Sequence, residues 1–320
     1  MAASLVKHAD LRAMDLTVRG AFLEAYNRSK YTPRYPLYAS VQPSTTRANI
    51  YPQAIDAGII REWNEGERVV NGLVLEGAKV TNSLYELTYG LRRVDLDDDT
   101  SGAVAMLVSR LKSAASKYVR HYDKLASAVL TSNSTALDGV ALFHATDHKV
   151  NPADPDSASM VNTAGGALTP DNAAACRAAM LSIKTADGEP ANDGDAVVLM
   201  VPPALELKAR KTAQADHVIF SATGTDTAEA NVYKGLYTVV VNPRLAAAFT
   251  GGSDSAWYML DVSDPEDRAV IVQIREAPEI VAQFNPADPL AFTQDKYVWG
   301  TRARHTAAAG NPKKAFRRTG

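Results

Sequence analysis

Apolar positions along this chain change period several times, and each change marks a predicted element. From residue 85 the alternation is strict: Tyr85, Leu87, Tyr89 and Leu91 fall on one strand face, with Glu86, Thr88 and Arg92 on the other. A turn at Asn82 and Ser83 joins this strand to an earlier β-prone run of Val69, Val70, Leu73 and Leu75, loosened by Gly66, Gly72 and Gly77. The two runs read as a flexible hairpin within residues 59–99. An isolated two-stranded hairpin is marginally stable at best in water, so this one needs a neighbour, the simplest being a larger antiparallel sheet of the same chain.

Past Asp97 the period lengthens. Val104, Leu107, Leu111, Tyr118, Tyr122, Leu125 and Val129 recur at intervals of three, four and seven, which predicts one long helix over residues 97–132. From residue 99 to residue 131 such a helix would span about 50 Å at 1.5 Å per residue, the width of a small domain. The phrase DLDDD lies at its start. Asp97, Asp98 and Asp99 are read as carboxylates capping free backbone N–H groups, because consecutive acids fit a helix start and lack the spacing of a calcium loop.

Upstream, Leu5, Leu11, Leu16, Phe22, Leu23 and Tyr26 predict one or two helices that end where Pro33 and Pro36 favour extended chain. Residues 31–58 read as an irregular extended arm. Downstream, Thr169 and Pro170 supply an N-cap and a first-turn proline for a helix to about Lys184. AVVLMV reads as a buried strand, stopped by Pro202 and Pro203, which open another helix through Ala215. Residues 221–231 have loop composition, and YTVVVN, WYMLDV, AVIVQIRE and EIVAQF follow as strands. The order of elements predicts an α+β fold without internal repeats.

Composition sharpens the picture at the ends. The 320 residues are enough for one large or two modest domains, and the formal net charge of -2 is unevenly spread. Residues 1–49 hold seven Lys or Arg against three Asp or Glu, and residues 296–320 hold seven against none, so the middle is strongly acidic. Basic ends on an acidic body predict termini that meet a polyanion or an acidic neighbour. The single cysteine, Cys176, sits in a helical pattern and reads as a small core residue compatible with a reducing compartment. No apolar stretch reaches the roughly 18 residues of a membrane span, and the N-terminus lacks the apolar centre of a secretory signal.

Candidate chemistry is sparse. His144, Asp147 and His148 are the nearest approach to a metal site, since histidines four apart on a helix share a face. HATDH lacks the glutamate of the HExxH pattern, however, and lies among loop formers. No phosphate-binding glycine loop and no nucleophile elbow is present, so the residues predict neither a cofactor nor an enzyme.

Several phrases in their order carry a resemblance. They are REW at 61–63, the Tyr85–Glu86 strand, DLDDD, DGVALFHATDH, VPPALELKAR, NVYKG with VVVNPRL, and WYMLDV with QIREAPE. Together they cover most of residues 40–305, and with them the chain resembles the Mu-type, gpT-like major head subunits of tailed bacteriophages, which have the Hong Kong 97-type capsid fold. The resemblance implies an N-arm over 1–40, an extended loop over 41–95, and a peripheral domain over 96–164 built on the spine helix 97–132. It further implies an axial domain over 165–262, then a return to the peripheral domain with a basic C-terminal tail over 263–320.

The implied function is that of a non-enzymatic head protein forming hexamers and pentamers in an icosahedral shell around double-stranded DNA. Such a shell is assembled in the bacterial host cytoplasm and ends in the virion, with scaffolding, portal and decoration proteins as further partners. Arg61, Glu62, Trp63 and Arg68, with Tyr85 and Tyr89, are then candidate subunit contacts. Arg12, Arg19, Arg28 and Arg34 are candidates to face DNA or scaffold, and Lys313, Lys314, Arg317 and Arg318 to reach an acidic neighbour. An encapsulin-like shell around cargo protein and a metalloenzyme using His144 and His148 are the alternatives.

Overall fold

The structure, a computed structural model, describes residues 8–52, 77–98, 102–151, 156–222 and 225–320. The chain opens with α1 (His8–Asn27) and an extended segment leading to β1 (Ala39–Pro43) and β2 (Ala48–Pro52). Next come β3 (Gly77–Thr81), β4 (Ser83–Arg92), the short α2 (Arg93–Asp98) and the long α3 (Ala103–Thr131). The middle holds β5 (His148–Lys149), β6 (Ser159–Met160), β7 (Thr163–Gly165), α4 (Pro170–Leu181), β8 (Val197–Val201) and α5 (Glu206–Gln214). β9 (His217–Ala222), β10 (Thr225–Ala230), β11 (Tyr237–Val241) and β12 (Trp257–Asp261) follow. Last are β13 (Val270–Gln283), α6 (Pro289–Gln294), β14 (Lys296–Ala309) and β15 (Ala315–Thr319).

Two sheets flank α3. The first runs β1-β13-β14-β4, with β1 parallel to β13 and the other pairs antiparallel. Strict alternation explains its inner face: Tyr297, Trp299, Thr301, Ala303 and His305 of β14 are buried, and the β4 register sets Leu91, Tyr89, Leu87 and Tyr85 beside the first four of them. This face packs on Leu107, Leu111, Ala114, Ala115 and Tyr118 of α3 and on Leu11, Val18 and Phe22 of α1.

The second sheet runs β11-β8-β12-β15-β7. Every residue of β8 is buried, because Val197, Leu199 and Val201 join a core with α4 and α5 while Val198 and Met200 join one with the C-terminal half of α3. A strand covered on both faces has no polar side to show, which is why AVVLMV is apolar throughout.

Several sequence expectations change. Residues 77–92 do not form a hairpin: β3 pairs with β2, and β4 pairs with β14. Asn82 divides the two ladders, its Nδ2 donating to Ser44 Oγ at 2.9 Å and to the Thr46 carbonyl at 3.0 Å while its Oδ1 accepts from Gln273 Nε2 at 2.8 Å. Those bonds turn the chain out of one ladder and into the next. The run Val69–Leu75 lies outside the described residues. The spine helix starts at Ala103 behind an N-cap at Gly102, whose φ of 64° is the left-handed conformation glycine adopts freely. The acidic phrase falls instead in and after α2, where Asp95 pairs with Arg92 at 2.8 Å.

Residues 31–58, expected to be irregular, contain β1 and β2, and residues 221–231, expected to be a loop, contribute to the β9–β10 hairpin. AVIVQIRE and EIVAQF are one strand, β13, whose register shifts between Ile274, Glu276 and Glu279 absorb the Pro278 that separates them in sequence. The C-terminus is no tail, since β15 is an inner strand between β12 and β7.

Candidate assembly surface

The arm ahead of β1 is held chiefly at Asp123, with Arg268 Nη1 donating to the Pro36 and Ala39 carbonyls at 3.0 Å beyond it. Asp123, buried on α3, accepts backbone N–H bonds from Arg34 at 3.0 Å and Tyr35 at 2.6 Å and a hydroxyl bond from Tyr31. Burial first, then the Asp123 carboxylate, raises the Tyr31 hydroxyl above its ordinary range, so it stays a donor. Asp123 escapes a reading that follows apolar positions alone. The available signal is a pair of polar positions, Asp123 and Ser127, inside the apolar stripe of α3.

The arginines of the N-terminal region divide into two kinds. Arg19 pairs with Asp15 at 2.7 Å and donates to the Ile280 carbonyl at 2.7 Å, tying α1 to β13. Arg34 spends its backbone on Asp123, and its guanidinium lies 3.5 Å from the Tyr31 hydroxyl. Arg12 and Arg28 are exposed, Arg28 within 3.4 Å of Glu24. The basic residues at the other end are structural. Lys313 Nζ donates to the Val150 carbonyl at 2.8 Å and Lys314 Nζ to that of Ala191 at 2.7 Å. Arg318 donates to the Gly165 carbonyl at 3.0 Å, and the Arg317 guanidinium lies 5.2 Å from the centre of the Phe143 ring. These cations satisfy carbonyls and cover a ring within the chain.

Of the candidate contact residues, Tyr85 and Tyr89 are half-buried on the inner sheet face, with Tyr85 against His121 and His305 at ring-centre distances of 4.5 Å. Arg61, Glu62, Trp63 and Arg68 lie outside the described residues. The described chain on either side of them is informative: β2 and β3 place Pro52 opposite Gly77, so residues 53–76 leave and return at one point.

The outer face of the first sheet is open. Leu84 is 61% exposed and Val281 50%, and beside them lies a hollow of about 340 Å³ lined by Thr88, Val298, Gly300 and Arg302. Gly300 makes room for it, because a Cβ there would stand 2.8 Å from Thr88 Oγ1. Glu276 sits at one margin with Arg302 at 2.8 Å and Arg304 at 3.3 Å.

The histidines of the metal reading do not converge. His144 Nδ1 accepts from the backbone N–H of Asp147 at 3.0 Å. His148 is fully buried, with Nδ1 2.5 Å from Asp138 Oδ2 and Nε2 3.2 Å from the Leu142 carbonyl. HATDH is not helical, so the four-residue spacing gives no common face, and among the described residues no group of three or more His, Cys, Asp or Glu is placed to hold a metal ion. Cys176 is buried in the core between α4 and the second sheet, and burial pushes its thiol up to about 12. Among the described residues, no helix is long and apolar enough to cross a membrane.

Comparison with known proteins agrees with this architecture. The major capsid protein of Escherichia phage Mu is 29% identical over 132 residues, a stretch that is 41% of this chain and 42% of that protein. The chain thus spans under half the length of the curated relative it matches. Among solved structures, the procapsid of bacteriophage JBD30 is similar at a TM-score of 0.52 with 21% identity, covering 98% of this chain and 76% of that one. The capsid of an empty GTA particle gives 0.53 with 12% identity over 91% and 90%. The mature capsid of bacteriophage PhiM1 gives 0.51 with 11% identity over 90% and 87%.

These likenesses establish the Hong Kong 97-type capsid fold. The sequence model of the Mu-like prophage major head subunit gpT family matches residues 11–170 and 243–319, which includes all four strands of the first sheet and the inner strand β15. The chain belongs to the Mu-like prophage major head subunit gpT family.

Proposed function

We propose that this chain is a major capsid protein that assembles as hexamers and pentamers into an icosahedral shell around double-stranded DNA. The family match over residues 11–170 and 243–319 carries the proposal. The physics of the surface supports it. A shell subunit reuses the same contacts at sites of different angle, so segments that reach across a neighbour suit it better than rigid flat faces. Each such contact contributes about 25 cal/mol per Å² of apolar surface, and repetition around a closed shell multiplies weak contacts into a stable whole.

Residues 53–76, whose flanking ends are paired in the β2–β3 ladder, are assigned to contact with the next copy, with Arg61, Glu62, Trp63 and Arg68 as the contact residues. The open outer face of the first sheet, with Leu84, Val281 and the hollow at Gly300, is the receiving surface on the next copy. Arg12 and Arg28 face the packaged DNA or a scaffolding protein through contacts without sequence preference. Portal and decoration proteins are further partners, and the shell forms in the host cytoplasm before entering the virion. The role is structural, with no chemistry asked of the chain.

Electron microscopy of the protein expressed alone and with its neighbouring genes tests the reading, and icosahedral shells are expected. A chain that stays monomeric in both settings rules it out. The content of purified shells decides their purpose: nucleic acid supports a head protein, whereas protein cargo without nucleic acid supports an encapsulin-like compartment. Cross-linking of α1 only to exterior reagents would remove Arg12 and Arg28 from the interior.

A further inference from the structure

Assembly leaves unexplained a pair of histidines where α3 meets β14. His121 Nδ1 lies 2.9 Å from His305 Nε2. The His305 ring is fully buried, stacked on Tyr85 at 4.5 Å and tilted against Tyr122 at 4.6 Å, and its other nitrogen, Nδ1, has no hydrogen-bond partner. His121 by contrast borders an open hollow of about 220 Å³ shared with Glu86, Lys117 and Tyr118. One ring is sealed, and the other has access to water.

At 2.9 Å two facing nitrogens hold one proton between them, one ring donating and the other accepting. A first added proton can reside on the accessible His121 ring, which then donates to His305, and the contact survives. When both rings are cations, N–H faces N–H across the same gap and the attraction becomes repulsion.

We infer that His121 and His305 form an acid-released clasp between the spine helix and the first sheet. The groups around the pair favour release. From α3 come Lys117 and Lys124, with the neutral hydroxyls of Tyr118 and Tyr122, and the latter lies 3.4 Å from the Tyr26 hydroxyl of α1. The turn at Pro243–Leu245 adds Arg244, and β4 adds Tyr85 and Glu86, whose carboxylate already accepts from Thr88 Oγ1 at 2.7 Å. On β13 the residue opposite His305 is Ile274, and the nearby Glu276 is taken up by Arg302 and Arg304. Of the carboxylates among these, Glu276 is paired with two arginines, and Glu86 is exposed to solvent, where water and salt weaken its pull on a second cation.

Burial, and then His121, hold His305 down at about 4, and burial followed by Lys124 and Arg244 lowers His121. An unfolded histidine titrates at about 6.5, so between there and about pH 4 the unfolded chain binds more protons than the folded one. The clasp's contribution is therefore complete above about pH 6.5 and is lost progressively as pH falls toward about 4. It acts within a single chain and does not depend on a shell being formed.

Deuterium exchange at histidine Cε1, followed by mass spectrometry on the full-length protein, reads the ionisation of individual histidines. His305 is expected to titrate near pH 4. Amide protection factors over residues 118–122 and 301–307 are expected to fall about tenfold or more between about pH 7 and about pH 4.5. The double variant His121→Asn with His305→Gln replaces the facing ring nitrogens by amides that do not ionise. It is expected to keep its protection at neutral pH and to lose this acid dependence. A His305 that titrates near 6.5, or the same fall in protection in the double variant, overturns the clasp. Should the double variant fail to fold, the titration of wild-type His305 decides alone.

Discussion

At the scale of single residues, Asp123 holds the arm ahead of β1. Pro33 and Pro36 keep residues 31–36 out of regular ladders, so their N–H groups need acceptors that secondary structure does not supply. One carboxylate serves the Arg34 and Tyr35 amides and the Tyr31 hydroxyl together. Asp123→Asn keeps the shape but turns an acceptor into a donor that faces other donors. With hydrogen bonds to a buried charged group at about 1.5–3 kcal/mol, the variant is expected to lose about 2–4 kcal/mol. Urea unfolding of the unassembled chain measures it, and a loss below about 0.5 kcal/mol would mean the arm is held by other contacts. Ser127, one turn later, marks the same polar inlay, since its hydroxyl donates to the Asp123 carbonyl and accepts from Asn242 Nδ2 at 2.9 Å.

At the scale of elements, β15 is where sequence and structure part most clearly. Read locally, AFRRT after KK is a basic tail, yet it forms an inner strand with Ala315 and Phe316 buried. Phe316→Ala is expected to cost about 3–5 kcal/mol by leaving a cavity against Trp257 and Met259, whereas a residue in a free tail would cost under about 0.5 kcal/mol. Thermal unfolding of the soluble chain separates these outcomes. The elements legible beforehand were those specified by their own period: the alternation of β4, the stripe of α3, the capped start of α4 and the two-sided burial of β8. What was not legible was pairing. Nothing within residues 69–92 says that β3 belongs with β2 and β4 with β14, because those partners lie far away along the chain. Composition misled at residues 221–231, where Thr and Ala in a hairpin resemble a loop. Of the candidate contact residues, Tyr85 and Tyr89 read as sticky from their alternation, and they pack against the chain's own helix α3, a partner that the local pattern does not name.

At the scale of the whole molecule, the contact role proposed for residues 53–76 separates folding from assembly. The three cores are built from described residues of α1, α3, α4, α5 and the two sheets, and the β2–β3 ladder sets Pro52 and Gly77 at opposed positions, with Cα atoms about 5 Å apart as in any antiparallel pair. A two-residue Asn-Gly turn has the geometry to join such ends directly, with no long loop to order. Replacing residues 53–76 by Asn-Gly is therefore expected to leave a folded monomer within about 1 kcal/mol of the full chain, because every described residue of the three cores is kept. The same chain is expected to form no shells, since it lacks the segment proposed to reach the next copy. Circular dichroism with urea titration reads the first result, and electron microscopy under conditions where the full chain assembles reads the second. Shells of ordinary size from the shortened chain would show that the outer sheet face and α1 suffice for assembly. A shortened chain that fails to fold would place residues 53–76 among the determinants of the monomer instead. The physical reason to expect the separation is that a contact serving a neighbour contributes nothing to the isolated subunit. Its removal then affects association and leaves intramolecular stability intact.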